Sequence, residues 1–490
     1  MSVIKALGVA GAGPMGTGIA QVGLMAGLEV VLFDVSGEAL AKAAKEIDSR
    51  LFRLEEKGLL KKGKAADART RLTLAGGMDE FAPCDVVIEA IVERLDIKRK
   101  FFADLEAVVR ADTVLATNTS SLSVAAIAAG CTRKDRVCGL HFFNPVPLMK
   151  LVEVIEAPAT SAEALALATQ LSHLIGKVPV TVKDAPGFLV NLQGRAYALE
   201  GLAIAQEQVT DPATIDRIMR DGAGFRMGPF ELMDLTGIDV NYVATTYIYE
   251  GYQYDPRLKT TTLHQLMANA GRFGRKTGHG FFDYTEGTSF PPSPPPPQGE
   301  RRLRATLVEP GAHWAPISRT AGLEAGDDVF LIAPVGEDCA TACHRLGLDP
   351  QRTVAVDLTA VTNSHLTVMA TLGGETCAMD VAEWLRSTGF TVEVIADSPG
   401  FVLQRILAMI ANLGCELAQI GISTPENIDV AMKLAQNYPK GPLEWAEWIG
   451  VERTHEIMRQ LQEITGSDRY RPSLWLRRRA LLGLPIHQVK

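Results

Sequence analysis

The stretch VAGAGPMGTGIAQV, residues 9–22, decides the fold. Gly11, Ala12, Gly13, Pro14, Met15 and Gly16 spell G-x-G-x-x-G between an apolar run and a segment of helical character. A lone motif of this kind is weak, because many Gly-rich turns satisfy it. Here its context is complete. A strand feeds it, a helix leaves it, and a second apolar run, VVLFD, ends in Asp34. The first glycine permits the tight turn and the second lets a pyrophosphate approach the backbone. The third packs helix on strand, and the free N–H groups of the helix start face the phosphates. An acid at the end of the second strand suits both ribose hydroxyls, and no arginine follows at once to hold a 2′-phosphate, which favours NAD over NADP.

Outward from this motif, short apolar runs alternate with amphipathic ones, the pattern of a parallel sheet covered by helices on both faces. Expected strands are Ile4–Ala10, Val30–Asp34, Val86–Glu89, Val114–Thr117, Val137–Phe142 and Val178–Val182. The expected fold is an α/β Rossmann-type dinucleotide-binding domain over residues 1–183, then an all-helical domain over 184–287. A Pro-rich linker covers 288–300, where SFPPSPPPPQGE favours extended polyproline over any SH3-type docking role. A degenerate α/β segment follows over 301–395, with strands in VFLIAPVG, RTVAVDLT, HLTVMATL and FTVEVIAD, and a second helical domain over 396–490.

The helical blocks repeat. Asp184, Pro186, Gly187 and Phe188 match Asp397, Pro399, Gly400 and Phe401, and 397 − 184 = 213. Asp216 matches Asp429, and GPFEL from Gly228 matches GPLEW from Gly441, at the same offset. A register held that long marks a tandem of modules.

With 490 residues, 47% of them hydrophobic, the chain can bury several cores. A net charge of −8 without a long basic run argues against nucleic acid as a partner. No apolar run suits a membrane span, and no signal peptide is legible. Seven scattered cysteines without framework or metal-ligand spacing suggest buried thiols, no metal site and a cytoplasmic setting.

His141 closes a later strand in GLHFFNPVPLMKLVEV, residues 139–154. In open α/β sheets the ligand crevice lies off the carboxyl ends of strands, so a histidine there can take a proton from an alcohol at neutral pH. Glu153 lies twelve residues on, after a turn at Asn144, Pro145 and Pro147, and its carboxylate can return to orient the imidazole. Alone, each could be structural: a hydrogen-bonded histidine and an exposed strand acid. Asn118, Thr119 and Ser120 follow another strand end and could bind cofactor or substrate, or cap the next helix. Asn191 opens the first helical block and could reach a carbonyl or serve helix packing.

These residues carry a resemblance. VAGAGPMGTGIAQV, VVIEAIVERLDIK, ATNTSSLSV, GLHFFNPVPLMKLVEV, KDAPGFLVNL and GPFELMDLTGID resemble, in order, the 3-hydroxyacyl-CoA dehydrogenases, over residues 1 to about 285. The resemblance implies oxidation of the (S)-3-hydroxyl of an acyl-CoA, with NAD as cofactor. It implies His141 as general base, Glu153 as its partner, and Ser120 and Asn191 on the substrate oxygen. Gly11, Gly13, Gly16, Asp34, Glu93, Lys98, Ser120 and Asn144 would line the cofactor site. Lys57, in the arm RLFRLEEKGLLKKGK, is the nearest match to a coenzyme A contact. The long form resembles bacterial enzymes acting on 3-hydroxyadipyl-CoA, with a 3-hydroxybutyryl-CoA enzyme and a non-enzymatic crystallin-like protein as alternatives. The helical domain is associated with dimerisation, so the second copy implies an intramolecular pseudo-dimer in a monomer, or else a homodimer. A catalytically silent second module is expected, and Gln404 stands at the offset position of Asn191.

Overall fold

The computed structural model describes residues 4–285, 292–297, 299, 301–309, 311–319 and 322–489. The first sheet has eight strands: β1 (Ala6–Ala10), β2 (Glu29–Phe33), β3 (Leu72–Ala75), β4 (Val86–Glu89), β5 (Val114–Thr117), β6 (Val137–Phe142), β7 (Leu151–Glu156) and β8 (Val178–Lys183). Their order is β3-β2-β1-β4-β5-β6-β7-β8, parallel except for the antiparallel pair β6–β7. Strands β4, β5 and β6 are buried at every residue, because helices cover both faces of this sheet. The order turns outward in both directions from β1 and β4, and the crevice off their carboxyl ends is where such sheets take ligands.

Two of these strands are absent from the sequence reading. β3 is a four-residue edge strand with two exposed residues. β7 carries Glu153: after the turn it sits inside a strand hydrogen-bonded to that of His141, and it is buried where a purely structural strand acid would be exposed. Asp34, expected as the last residue of its strand, lies one residue beyond β2.

The second sheet has six strands: β9 (Leu303–Leu307), β10 (Leu323–Ala325), β11 (Val329–Ile332), β12 (Thr353–Asp357), β13 (His365–Ala370) and β14 (Thr391–Val394). The order is β10-β9-β11-β12-β13-β14, with β12–β13 antiparallel and β13–β14 parallel. This is the connectivity of β5–β8, and its core is closed by Trp314 and Trp384. In that comparison β11 takes the place of β5, parallel to its neighbours β9 and β12.

The chain forms two compact units, Met1–Val190 with Gly421–Gln436, and Asn191–Ile420 with Asn437–Lys490. In the first, the helix Pro425–Gln436 packs on β7 and β8, and the Lys183 N–H donates to the Ile422 carbonyl at 2.9 Å. In the second, the Ala396 N–H donates to the Val209 carbonyl at 2.9 Å. Since 183 + 213 = 396 and 209 + 213 = 422, the two bonds are one interaction made twice. Each helical block therefore lends a segment to the other module's sheet. Positive φ angles repeat at the same offset: Gly187 and Gly400, Phe188 and Phe401, Gln208 and Gly421, Gly224 and Asn437, Gly237 and Gly450, Gln253 and Gly466. Backbone geometry thus keeps the repeat where residue identity has drifted. The Pro-rich linker lies partly outside the described residues; 292–297 adopt neither helix nor strand.

Candidate active site

β6 and β7 pair with His141 directly opposite Glu153. His141 Nδ1 lies 2.6 Å from Glu153 Oε2, with Glu153 fully buried and His141 nearly so. An ionised carboxylate has no proton to donate, so Nδ1 carries the hydrogen and Nε2 is left as the proton acceptor. The other oxygen, Oε1, accepts from the backbone N–H groups of Leu189 and Val190, each at 2.9 Å. Three donors therefore fix the Glu153 carboxylate, which in turn fixes the ring. Phe143 and Phe188 flank the imidazole, with ring centroids 4.6 and 5.7 Å away. Phe188 adopts φ 50°, a left-handed conformation unfavourable for a bulky residue. Its repeat mate Phe401 has φ 51°, so the strain belongs to the PGF joint shared by both modules.

The loop after β5 is organised by Glu93. One of its oxygens accepts from Thr119 Oγ1 at 2.6 Å and from the N–H groups of Ser120 and Ser121 at 3.0 and 3.2 Å. Lys98, fully buried, reaches Glu89 at 2.6 Å and Glu93 at 3.1 Å. Burial opposes ionisation of Glu93, but the Lys98 ammonium and these hydrogen bonds outweigh it and hold the carboxyl below its ordinary range. Glu93, Lys98 and Ser120 thus come together, with Lys98 behind Glu93. Asn118 accepts from the Phe142 N–H at 2.9 Å, tying this loop to the residue beside His141.

At β1, a Cβ on Gly11 would lie 2.5 Å from the Ala90 carbonyl oxygen, and one on Gly16 would lie 1.8 Å from that of Gly11. Both glycines are dictated by the protein's own packing. A Cβ on Gly13 would meet nothing within 4 Å. Gly13 is also the N-cap of the helix Pro14–Met25, and no side chain caps it. Space beside the second glycine and uncapped N–H groups make a cradle that fits a pyrophosphate. Asp34 Oδ2 accepts from the Ala12 N–H at 2.7 Å, so this acid is locked to the same loop.

The family model described as the 3-hydroxyacyl-CoA dehydrogenase NAD-binding domain matches residues 6–185. Its C-terminal domain model matches twice, at 187–284 and 400–485. The chain belongs to the 3-hydroxyacyl-CoA dehydrogenase family. It is 37% identical to 3-hydroxyadipyl-CoA dehydrogenase of Escherichia coli K12, over 98% of each chain. It is 40% identical to the human mitochondrial hydroxyacyl-coenzyme A dehydrogenase, over 58% of this chain and 92% of that one. Among solved structures, 3-hydroxybutyryl-CoA dehydrogenase of E. coli K12 superposes with TM-score 0.89 and 36% identity, covering 98% of this chain and 99% of that one. The dehydrogenase is therefore an NAD-dependent oxidoreductase acting on a CH–OH group.

The remaining expected positions are spread along the dehydrogenase. Asn144 is exposed on the turn after β6, and its peptide bond to Pro145 is cis. That turn is held by Lys177, whose ammonium donates to the carbonyls of Val146 and Met149. Burial pushes the Lys177 ammonium down to about 8. Lys57 is the exposed C-cap of the helix Gly37–Glu56, beside the exposed Lys61, Lys62 and Lys64. Asn191 follows Val190 in the first turn of the helix Val190–Gln206 and opens the second unit. The sequence reading missed Glu89 and Lys177. A buried ion pair or a lysine tying two carbonyls leaves no periodic trace. It also missed Val35, 95% exposed, and Val92, 59% exposed, apolar residues that follow β2 and β4.

Proposed function

We infer that the dehydrogenase oxidises the 3-hydroxyl of a dicarboxylic acyl-CoA, 3-hydroxyadipyl-CoA, at a single site built on His141 and Glu153. The observation that carries the chemistry is the 2.6 Å Nδ1–Oε2 pair with Nε2 left as acceptor. His141 takes the hydroxyl proton at Nε2 as the C–O bond becomes a carbonyl. Glu153 stabilises the imidazolium that results, and the Leu189 and Val190 N–H groups keep its carboxylate in place. NAD, when bound, supplies the hydride acceptor for the C–H bond. Gly11 to Gly16 and the helix start hold its pyrophosphate and Asp34 its ribose. Glu93, positioned by Lys98, holds the Ser120 loop beside it, and Asn144 contributes from the turn after β6. Val35 and Val92 offer apolar surface to a base. Ser120 and Asn191 hold the substrate oxygen, and Lys57 with its neighbouring lysines attracts coenzyme A phosphates.

Likeness along the whole two-module length supports the adipyl chain. A second reading, 3-hydroxybutyryl-CoA, has its own support, because the full-length structural relative bears that name. NADH-coupled reduction of 3-oxoadipyl-CoA against acetoacetyl-CoA separates them. A higher kcat/KM for the six-carbon diacid is expected, and a preference for acetoacetyl-CoA would reverse the assignment.

The second module serves as scaffold. Because Val180 and Glu393 are offset mates, the strand registers carry Glu153 onto Thr367 and His141 onto Asp357. Asp357 accepts from Gln404, the mate of Asn191, at 3.0 Å. The Asp–Gln–Thr set thus lacks the imidazole–carboxylate pair of the first module. We read the protein as a monomer whose helical blocks pair within the chain. The described cysteines form no disulfide, which suits the cytoplasm. Among the described residues no helix is long and apolar enough to cross a membrane.

A further inference from the structure

The two helical blocks pair about a local two-fold axis. Phe225 and Tyr438 are offset mates, 438 − 225 = 213, and their rings touch with centroids 5.0 Å apart. A residue that meets its own mate lies on the axis. Tyr197 and Trp445 stack on either side of Phe225. The interface is therefore isologous in shape.

It is not isologous in charge. On one side of the axis Arg405, completely buried, reaches the completely buried Glu200 at 2.5 Å. Arg469 reaches the same carboxylate at 2.9 Å, and the Tyr470 hydroxyl lies 2.9 Å from it. Arg405 also pairs with Glu207 at 2.6 Å. The offset mate of Arg405 is Leu192 (405 − 213 = 192), and that of Glu200 is Leu413 (200 + 213 = 413). Both leucines are buried. One side of the axis is thus a buried ion cluster, and the other carries the same positions as leucines.

We propose that this asymmetry makes the interface heterotypic: the first helical block accepts the second block and rejects another copy of itself. If two first blocks paired in this way, each Glu200 would meet Leu192 where Arg405 now stands, and Glu207 would lose the same partner. If two second blocks paired, each Arg405 would face a Leu413. Removing one partner of a buried pair strands the other, which costs far more than the pair contributes. The mixed pairing is the one that sets Glu200 and Arg405 against each other. The cluster is a specificity device that acts by penalising wrong partners.

The test uses the full chain with a protease site placed within residues 289–300, made with and without an N-terminal tag. Tagged and untagged proteins are cleaved, mixed, exchanged in mild denaturant, and captured through the tag. In the wild type the tagged amino-terminal piece should capture the carboxyl-terminal piece one to one, and no untagged amino-terminal piece. The double variant Glu200→Leu/Arg405→Leu places on this side of the axis the leucines already present on the other. Arg469 there keeps its hydrogen bond to the Lys259 carbonyl. That variant should fold, yet it should capture untagged amino-terminal pieces as a substantial fraction of the total. Arg405→Leu alone should pair poorly either way. Homotypic capture by the wild type would overturn the proposal, and so would a folded double variant as strictly heterotypic as the wild type. If the double variant fails to fold, Glu200→Gln/Arg405→Gln is used: homotypic capture supports the proposal, and capture as strictly heterotypic as in the wild type overturns it. None of these readouts depends on the chemistry at His141.

Discussion

Phe225 and Tyr438 are equivalent residues of two repeats, and their rings meet edge to face across a pseudo-two-fold axis inside one chain. Phe225 also stacks on Tyr197 at 4.6 Å, so it joins the two blocks and not merely one of them. Phe225→Ala should therefore cost about 3–5 kcal/mol, the range for truncating a buried aromatic. Urea unfolding checks this, and a loss below about 1 kcal/mol would mean that the blocks do not rely on the axis.

The charge cluster beside that axis carries a pH signature. Burial alone would raise the Glu200 carboxyl, but Arg469 and Arg405 outweigh it and hold it below its ordinary range. A carboxyl depressed in the folded state contributes stability above its unfolded value, about 4.3, and that contribution is lost as pH falls through the lower folded value. The melting temperature should thus drop steeply in acid. Glu200→Gln should be less stable at neutral pH by about 3–5 kcal/mol, with a flatter acid limb, so that the two curves converge. Parallel curves would remove Glu200 from this role.

One dinucleotide per chain is expected from calorimetry. The start of the helix Cys339–Leu346 is closed by the chain's own acids: Asp397 accepts from the Cys339 and Ala340 N–H groups at 2.6 and 2.9 Å, and Asp338 is the N-cap. Burial pushes the Asp397 carboxyl up to about 6. Two equivalents of NAD per chain would contradict the scaffold reading of the second module.

Asp34→Ala should weaken NAD binding about tenfold or more, since hydrogen bonds to a charged group contribute about 1.5–3 kcal/mol. It should also narrow discrimination against NADP, because the acid no longer repels a 2′-phosphate. Initial rates with both cofactors check this. A wild-type enzyme that prefers NADP would show that the end of β2 has been misread.

Much of this was legible in the chain. Val86–Glu89, Val114–Thr117 and Val137–Phe142 are strands at the expected bounds, because β4, β5 and β6 are buried on both faces and read as unbroken apolar runs. β7 escaped notice for the converse reason. LVEVIE buries Glu153 completely, and a charge in a core strand is unreadable until its partners are known: an imidazole on the next strand and two N–H groups 36 and 37 residues away. The repeat was visible through Asp, Gly and Pro at conformationally demanding joints. It was invisible where geometry survived a change of residue, as with Gln253 and Gly466. The kinship of β11–β14 with β5–β8 lies in connectivity and strand register, which alternating apolar residues do not encode.

The central claim is that His141 Nε2 acts as the catalytic base. The direct measurement is turnover of His141→Ala with acetoacetyl-CoA and NADH, beside the NADH affinity of the same protein from fluorescence titration. Loss of a general base lowers turnover by about 10²–10⁴-fold. NADH affinity should stay near the wild-type value, because the glycine loop and Asp34 are untouched. Near-native turnover in this variant would contradict the account.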